Sequence, residues 1–135
     1  MLSCLIVDDN PRFLAAARDL LEREGVTVVG VASTSAEALQ AVAALRPDVT
    51  LLDIDLGGES GFDLAARLHR DAGLTPSRVI LISTHAEQDY AELIGASPVV
   101  GFVSKSALSA DAIRDLLERD GDGECPLPIN GPRGT

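Results

Sequence analysis

The chain has 135 residues, enough for one domain that buries about two-thirds of its unfolded surface without a disulfide or a metal to hold it together. Its 21 acidic and 11 basic side chains give a formal net charge of −10, which argues against binding to nucleic acid or to anionic membrane surfaces. Aromatic residues make up only 3% of the chain, so it has no platform on which single-stranded bases could stack.

Short apolar segments alternate with amphipathic segments along the chain. The apolar segments are nearly continuous and rich in branched residues, which predicts strands buried on both faces. They cover residues 2–7, 26–32, 49–56, 79–83 and 99–103.

The amphipathic segments predict five helices between and after these strands. The first is expected to begin at Pro11 with Asn10 as its cap and to end at Gly25. Thr34 and Glu37 have the spacing of a capping box, which predicts the start of the second helix. The third covers 62–71, a short fourth covers 87–94, and the last begins after Ser109 as its cap.

Strict alternation of strands and helices predicts a five-stranded parallel sheet with helices on both faces, because parallel strands need crossover connections. We expect one domain over 1–119 and a flexible, acidic, Gly/Pro-rich tail over 120–135. Cys4 and Cys125 are too far apart for a disulfide framework and are expected to be reduced. The chain shows neither a signal peptide nor a transmembrane segment, so we expect a cytoplasmic protein.

Polar side chains stand where four of the five predicted strands end. Asp8 and Asp9 follow the first strand, Asp53 lies in the third, Ser83 ends the fourth and Lys105 follows the fifth. Ligands of an open parallel sheet bind at this edge. Lys105 is the only lysine in a chain whose other ten basic residues are arginines, which suggests that a compact point charge is needed there.

Carboxylates gathered at one edge need a counter-charge. Two of them about 4 Å apart repel by roughly 4 kcal/mol at an effective dielectric constant near 20. Mg²⁺, with Mn²⁺ as a substitute, is the expected cation, because no His or Cys is placed for zinc. A carboxylate beside such a cation, with an ammonium and a hydroxyl nearby, suits phosphoryl transfer onto the carboxylate.

Over about residues 1–119, these residues resemble the receiver domain of two-component response regulators. Between Asp9, Asp53, Ser83 and Lys105 the spacings are 44, 30 and 22 positions, which agree with that family. The resemblance implies a flavodoxin-like sheet in the order 2-1-3-4-5. The matching segments are Val7-Asp8-Asp9, Leu51-Leu52-Asp53, Ile80-Leu81-Ile82-Ser83 and Gly101-Phe102-Val103-Ser104-Lys105.

The motif style is closest to receivers of the LuxR/NarL type, which usually carry a DNA-binding domain. Too few residues follow the last predicted helix for such a domain. We therefore expect a stand-alone receiver or a receiver-only piece of a longer transcriptional regulator, with no direct binding of nucleic acid by this chain.

The resemblance also implies roles in phosphoryl transfer. Asp53 would accept the phosphoryl group from a phosphohistidine of a sensor histidine kinase. Asp9 and Asp53 would bind Mg²⁺ directly, Asp8 through water, and Asp55 through its backbone carbonyl. Lys105 would pair with Asp53 and then with a phosphoryl oxygen. Such a chain is a signalling phosphoprotein that assists its own phosphorylation and dephosphorylation, not an enzyme.

A second group of residues would act after transfer. Ser83 would move toward the phosphoryl group and Phe102 would turn inward with it. This would couple the site to the face made by the predicted helix 87–94, the fifth strand and the last helix. An unidentified output protein or a second copy of the chain would bind that face. Asp55, Thr84 and His85 would set the lifetime of the phosphoryl group.

Three alternatives remain. A haloacid-dehalogenase-like phosphohydrolase would use Asp53 as nucleophile, although in that family the Asp-x-Asp strand comes first. A flavodoxin-like cofactor binder is disfavoured, because the two carboxylates after the first strand would repel a phosphate. An interaction module that works without phosphorylation is disfavoured by the intact acidic residues, hydroxyl and lysine.

Overall fold

A five-stranded sheet forms the centre of the computed structural model, which describes residues 2–56, 58, 60–71, 79–84 and 99–124. The strands are β1 (Ser3–Val7), β2 (Thr27–Ala32), β3 (Val49–Asp53), β4 (Val79–Ser83) and β5 (Gly101–Ser104). All neighbouring strands are parallel, and their order is β2-β1-β3-β4-β5. This arrangement confirms the predicted α/β class and the strand order that the resemblance implied.

The described residues contain four α-helices and a single turn of 3₁₀ helix. The α-helices are α1 (Pro11–Arg23), α2 (Ser35–Leu45), α3 (Gly61–Asp71) and α4 (Ala110–Glu124). The 3₁₀ turn, Lys105–Ala107, directly follows β5. The predicted helix over 87–94 lies outside the described residues.

Helix ends follow the predicted capping residues. The Asn10 side chain accepts hydrogen bonds from two backbone N–H groups at the start of α1. Thr34 Oγ1 accepts from the Glu37 N–H at 3.2 Å, and Ser109 Oγ caps α4 in the same manner. α1 ends before Gly25, whose φ of 93° is readily adopted only by glycine.

Two apolar clusters, one on each face of the sheet, form the core. Successive side chains of a strand point to opposite faces, and β1 shows the division. Cys4 and Ile6 belong to the first core cluster, whereas Leu5 and Val7 belong to the second. The first cluster is completed by side chains of α1 and α4, and the second by side chains of α2 and α3. Both faces of the sheet are therefore covered, as predicted from the continuous apolar strands.

Two elements end three or more residues away from the predicted position. β3 ends at Asp53 rather than at residue 56, because the chain turns there and the Gly61 N–H donates to the Ile54 carbonyl at 2.7 Å. α4 continues to Glu124, five residues beyond the predicted end of the domain at 119. Residues 125–135 of the predicted tail lie outside the described residues.

Cys4 is a free, buried thiol on β1. Burial raises the pKa of this thiol to about 12, so it carries almost no reactive thiolate at neutral pH. Cys125 lies outside the described residues.

Within the described part of the chain, no helix is both long and apolar enough to cross a membrane.

Candidate functional site

The sheet brings the predicted polar residues to one edge. Asp53 is the last residue of β3 and lies opposite Ile82 of β4, whose next residue is Ser83. Ser83 lies opposite the last residue of β5, and Lys105 follows directly. Asp8 follows the end of β1. Because parallel strands end on the same side, residues far apart in the sequence meet at the carboxyl edge of the sheet.

Lys105 connects two buried carboxylates at this edge. Its Nζ atom lies 2.5 Å from Asp8 Oδ2 and 3.4 Å from Asp53 Oδ2. The Asp8 and Asp53 side chains are only 0% and 7% exposed, and that of Lys105 is 14% exposed. The resemblance implied a pairing of Lys105 with Asp53, whereas the structure places the ammonium closer to Asp8.

Local turns hold both carboxylates in place. Asp8 Oδ1 accepts a hydrogen bond from the Asn10 N–H at 2.8 Å, just before α1 begins. Asp53 Oδ1 accepts from the Asp55 N–H at 3.3 Å. Asp55 itself is exposed and forms an isolated antiparallel bridge with Ser60. Each buried carboxylate therefore has one oxygen held by the backbone and the other directed to Lys105.

The carboxylates of Asp8, Asp9 and Asp53 form a cluster that suits a divalent cation. One ligand oxygen from each lies within 4.8 Å of the others, and Asp9 is exposed. Three formal negative charges face the single positive charge of Lys105, which leaves two uncompensated. Hard oxygen ligands with that excess charge match the preference of Mg²⁺. The residues present therefore fit the metal that the sequence indicated.

The excess of negative charge at the site affects the pKa of Asp53. Burial, followed by the charge of Asp8, raises the pKa of this carboxyl from 3.8 to about 6, although Lys105 acts in the opposite direction. Asp53 therefore ionises at neutral pH at a cost in free energy to the folded protein. A cation bound between the carboxylates would offset this cost.

We expect Asp53→Asn to raise the free energy of unfolding near pH 8, without divalent cations, by on the order of 2 kcal/mol. The folded state holds the Asp53 proton more tightly than the unfolded chain does. The contribution of this group to stability therefore falls as the pH rises from about 4 through the folded-state pKa of about 6. Urea unfolding at about pH 4 and pH 8 measures the difference in free energy of unfolding between Asp53→Asn and the wild type. This difference should nearly vanish at the lower pH.

Asp19→Asn is the matched control for this prediction. It removes the same charge from a side chain that is 69% exposed on α1. An equal gain in stability from both variants at pH 8 would contradict an effect of burial at Asp53.

The structure also places the other predicted residues. Ser83 is buried, Thr84 is exposed, and Phe102 is half-buried against the second core cluster. His85 lies outside the described residues. The structure also places Phe13 of α1 beside the site, since its ring centroid lies 4.5 Å from Lys105 Nζ. No motif signals this contact, because it joins a side chain of α1 to the turn that follows β5.

Comparison with known proteins agrees with this geometry. The family model for the response regulator receiver domain matches residues 4–118 of the chain. This match covers β1 from Cys4 onward, the other four strands in full and every site residue named above.

Curated relatives include two named as regulators of transcription. The transcriptional regulatory protein DesR of Bacillus subtilis is 31% identical over 121 residues, covering 87% of this chain and 59% of DesR. The DNA-binding transcriptional activator EvgA of Escherichia coli is 26% identical over 131 residues, covering 96% of this chain and 62% of EvgA. The chain thus spans about three-fifths of the length of these relatives, and only 50% of another from Pseudomonas aeruginosa.

Solved structures show the same architecture. The signal receiver domain of a modulated diguanylate cyclase from Desulfovibrio desulfuricans matches with a TM-score of 0.71 and 30% identity. The match covers 88% of this chain and 93% of that domain. By fold, by the family match and by the arrangement of acidic residues and lysine, the chain belongs to the family of response regulator receiver domains.

Proposed function

We propose that the chain receives a phosphoryl group on Asp53 from a phosphohistidine of a sensor histidine kinase, in a Mg²⁺-dependent reaction. One observation carries the proposal. Asp53 lies at the end of β3 with its carboxylate grouped with those of Asp8 and Asp9 and 3.4 Å from the Lys105 ammonium. This arrangement places a carboxylate nucleophile beside positive charge at a strand end.

In the proposed reaction, an Asp53 carboxylate oxygen attacks phosphorus. The new phosphorus–oxygen bond forms as the phosphorus–nitrogen bond to the kinase histidine breaks. Lys105 then exchanges its contact with Asp53 for one with a phosphoryl oxygen. Its fixed position lowers the reorganisation needed as charge develops on the transferring group.

Asp9 and Asp53 would bind Mg²⁺ directly, Asp8 through water, and Asp55 through its backbone carbonyl. Bound there, the metal neutralises charge on the phosphoryl oxygens. Support for this assignment comes from the three clustered carboxylates and from the raised pKa of Asp53.

The switch would follow transfer. Phosphorylation adds close to two negative charges and three acceptor oxygens to the buried edge of the sheet. Ser83 would move toward these oxygens, and Phe102 would leave its half-buried position and turn inward. The expected output face, to which β5 and α4 contribute among the described residues, would change as a result.

Asp55 and Thr84 would tune the lifetime of the phosphoryl group, together with His85. Both described residues are exposed beside the site, where a side chain can position or exclude attacking water. Dephosphorylation rates of Asp55→Ala and Thr84→Ala equal to that of the wild type would remove this role.

Partners follow from the same proposal. The phosphodonor is a sensor histidine kinase, and the output is an unidentified protein or a second copy of the chain on the output face. The relatives that match are longer and are named as regulators of transcription. The chain therefore acts as a stand-alone receiver or as the receiver piece of such a regulator, in the cytoplasm and without enzymatic activity of its own.

Intact mass after incubation with acetyl phosphate and Mg²⁺ tests the proposal. We expect a gain of one phosphoryl group in the wild type, and no gain in Asp53→Asn or in the presence of a chelator. An unchanged mass with an intact fold would refute phosphorylation and favour an interaction module. Sustained consumption of acetyl phosphate without a mass gain would point either to the phosphohydrolase alternative or to a very short-lived phosphoaspartate.

A further inference from the structure

The Lys105 ammonium contacts an aromatic ring as well as two carboxylates. Its Nζ atom lies 4.5 Å from the centroid of the Phe13 ring, a distance typical of a cation–π interaction. With Asp8 and Asp53 on its other sides, the Lys105 side chain is only 14% exposed. The proposed phosphoryl transfer uses the lysine and both carboxylates but leaves Phe13 without a role.

The turn that holds Asp8 also anchors Phe13. The Asn10 N–H donates to Asp8 Oδ1 at 2.8 Å, and Asn10 Oδ1 accepts a hydrogen bond from the Phe13 N–H at 3.4 Å. The Phe13 side chain also packs against the first core cluster. The ring is therefore fixed to the same backbone segment as the carboxylate nearest the ammonium.

A ring at this position can do more than fill space. The face of an aromatic ring is negative and attracts a cation, most strongly where water is excluded. An alkyl side chain of similar size would exclude water but would not attract the ammonium. A lysine has a flexible four-carbon stem and a strongly hydrated head, so it needs such contacts to stay in one position.

We propose that Phe13 is a positioning residue whose ring holds the Lys105 ammonium between Asp8 and Asp53. The inference rests on the proposed function of Lys105 in phosphoryl transfer. Because the ring holds the ammonium beside Asp53, the ammonium can contact an incoming phosphoryl oxygen without first moving in from solvent. Phe13 acts through Lys105 and contacts neither the phosphoryl group nor the metal.

The kinetic test compares Phe13→Leu with Phe13→Tyr in the full chain. With acetyl phosphate and Mg²⁺, we expect Phe13→Leu to be phosphorylated about five- to thirtyfold more slowly than the wild type. Phe13→Tyr keeps a ring face and should stay near the wild-type rate. A role in packing alone would lower the melting temperature of Phe13→Leu without this difference in rate.

A spectroscopic test needs no phosphorylation. Because Lys105 is the only lysine, labelling with ¹³C-lysine gives one set of side-chain signals in the NMR spectrum. The ring current of Phe13 should shift the Cε proton signals upfield in the wild type and in Phe13→Tyr. In Phe13→Leu they should return to the ordinary position for lysine.

The two measurements separate this inference from the proposed function. If the wild type gains no phosphoryl group, the proposed function fails, while the Lys105 signal still reports whether the ring holds the ammonium. A folded Phe13→Leu with the wild-type rate would overturn the positioning role. Wild-type Lys105 signals at their ordinary position would overturn it as well. If Phe13→Leu does not fold, Phe13→Met replaces it in both tests.

Discussion

Lys105→Met should slow phosphorylation of Asp53 by about 10²- to 10³-fold, the effect usually seen when a preorganised charge-stabilising group is removed. The ammonium is the only basic group within salt-bridge distance of either buried carboxylate among the described residues. Without it, charge that develops on the transferring phosphoryl group loses its fixed protein counter-charge. Methionine keeps an unbranched side chain of similar length and adds no polar group.

The same substitution should also destabilise the metal-free protein. Removing one partner of a buried ion pair leaves an uncompensated charge and costs about 3 kcal/mol. Here two buried carboxylates, Asp8 and Asp53, would lose their shared partner. Because Mg²⁺ can replace the lost positive charge, saturating Mg²⁺ should restore more stability to Lys105→Met than to the wild type.

The rate of phosphorylation by acetyl phosphate measures the effect on transfer. Urea unfolding with and without Mg²⁺ measures the effect on stability. Lys105→Arg is the matched control, because it keeps the positive charge but replaces a compact ammonium with a planar guanidinium group. We expect it to recover most of the stability but only part of the rate. A wild-type rate in Lys105→Met would show that the lysine plays no part in phosphoryl transfer.

Gly61→Ala should destabilise the fold by about 3 kcal/mol, the upper part of the usual range for overpacking. A Cβ atom at Gly61 would overlap the Asp53 carbonyl oxygen and would lie 2.7 Å from the Ile54 Cα. Both are backbone atoms and cannot rotate away. The Gly61 N–H also donates to the Ile54 carbonyl at 2.7 Å, so the two segments cannot separate without losing this bond.

The clash lies directly at Asp53, the proposed acceptor, so Gly61→Ala should also lower the yield of phosphorylated Asp53. Gly58→Ala is the matched control in the same loop. Its φ of 108° makes alanine strained, at a cost of about 1 kcal/mol, but no atom of the described residues lies within 4 Å of the added Cβ. Urea unfolding should therefore rank the wild type above Gly58→Ala and Gly58→Ala above Gly61→Ala. Equal losses in the two variants would contradict a steric role for Gly61.

Much of the candidate site could be predicted because strand ends are readable in this sequence. A carboxylate inside an apolar segment is costly to bury, so the residues on either side of Asp53 are enough to mark it as a candidate site residue. The scarcity of lysine marks Lys105 in the same manner. Strict alternation of strands and helices then implies that these ends share one edge. For these positions, residue type and local pattern are sufficient.

Other features depend on packing between distant segments. The contact of Phe13 with Lys105 joins residues that are 92 positions apart, and no local pattern encodes it. The closer approach of Lys105 to Asp8 than to Asp53 depends on how the turns after β1, β3 and β5 meet at the edge of the sheet. The end of β3 at Asp53 likewise reflects the turn to Gly61 and not the apolar character of residues 54–56.

The sequence by itself determined the class of fold and the helix caps, and it singled out the candidate acidic and basic residues at the strand ends. These follow from periodicity, capping chemistry and the cost of burying charge, all of which act over a few neighbouring residues. The strand order was predicted only through the resemblance to a known family. Only the tertiary structure decided the charge balance of the site and the partners of the Lys105 ammonium. Distances between side chains on separate strands and helices depend on how those elements pack, and electrostatic interactions change steeply with such distances and with burial.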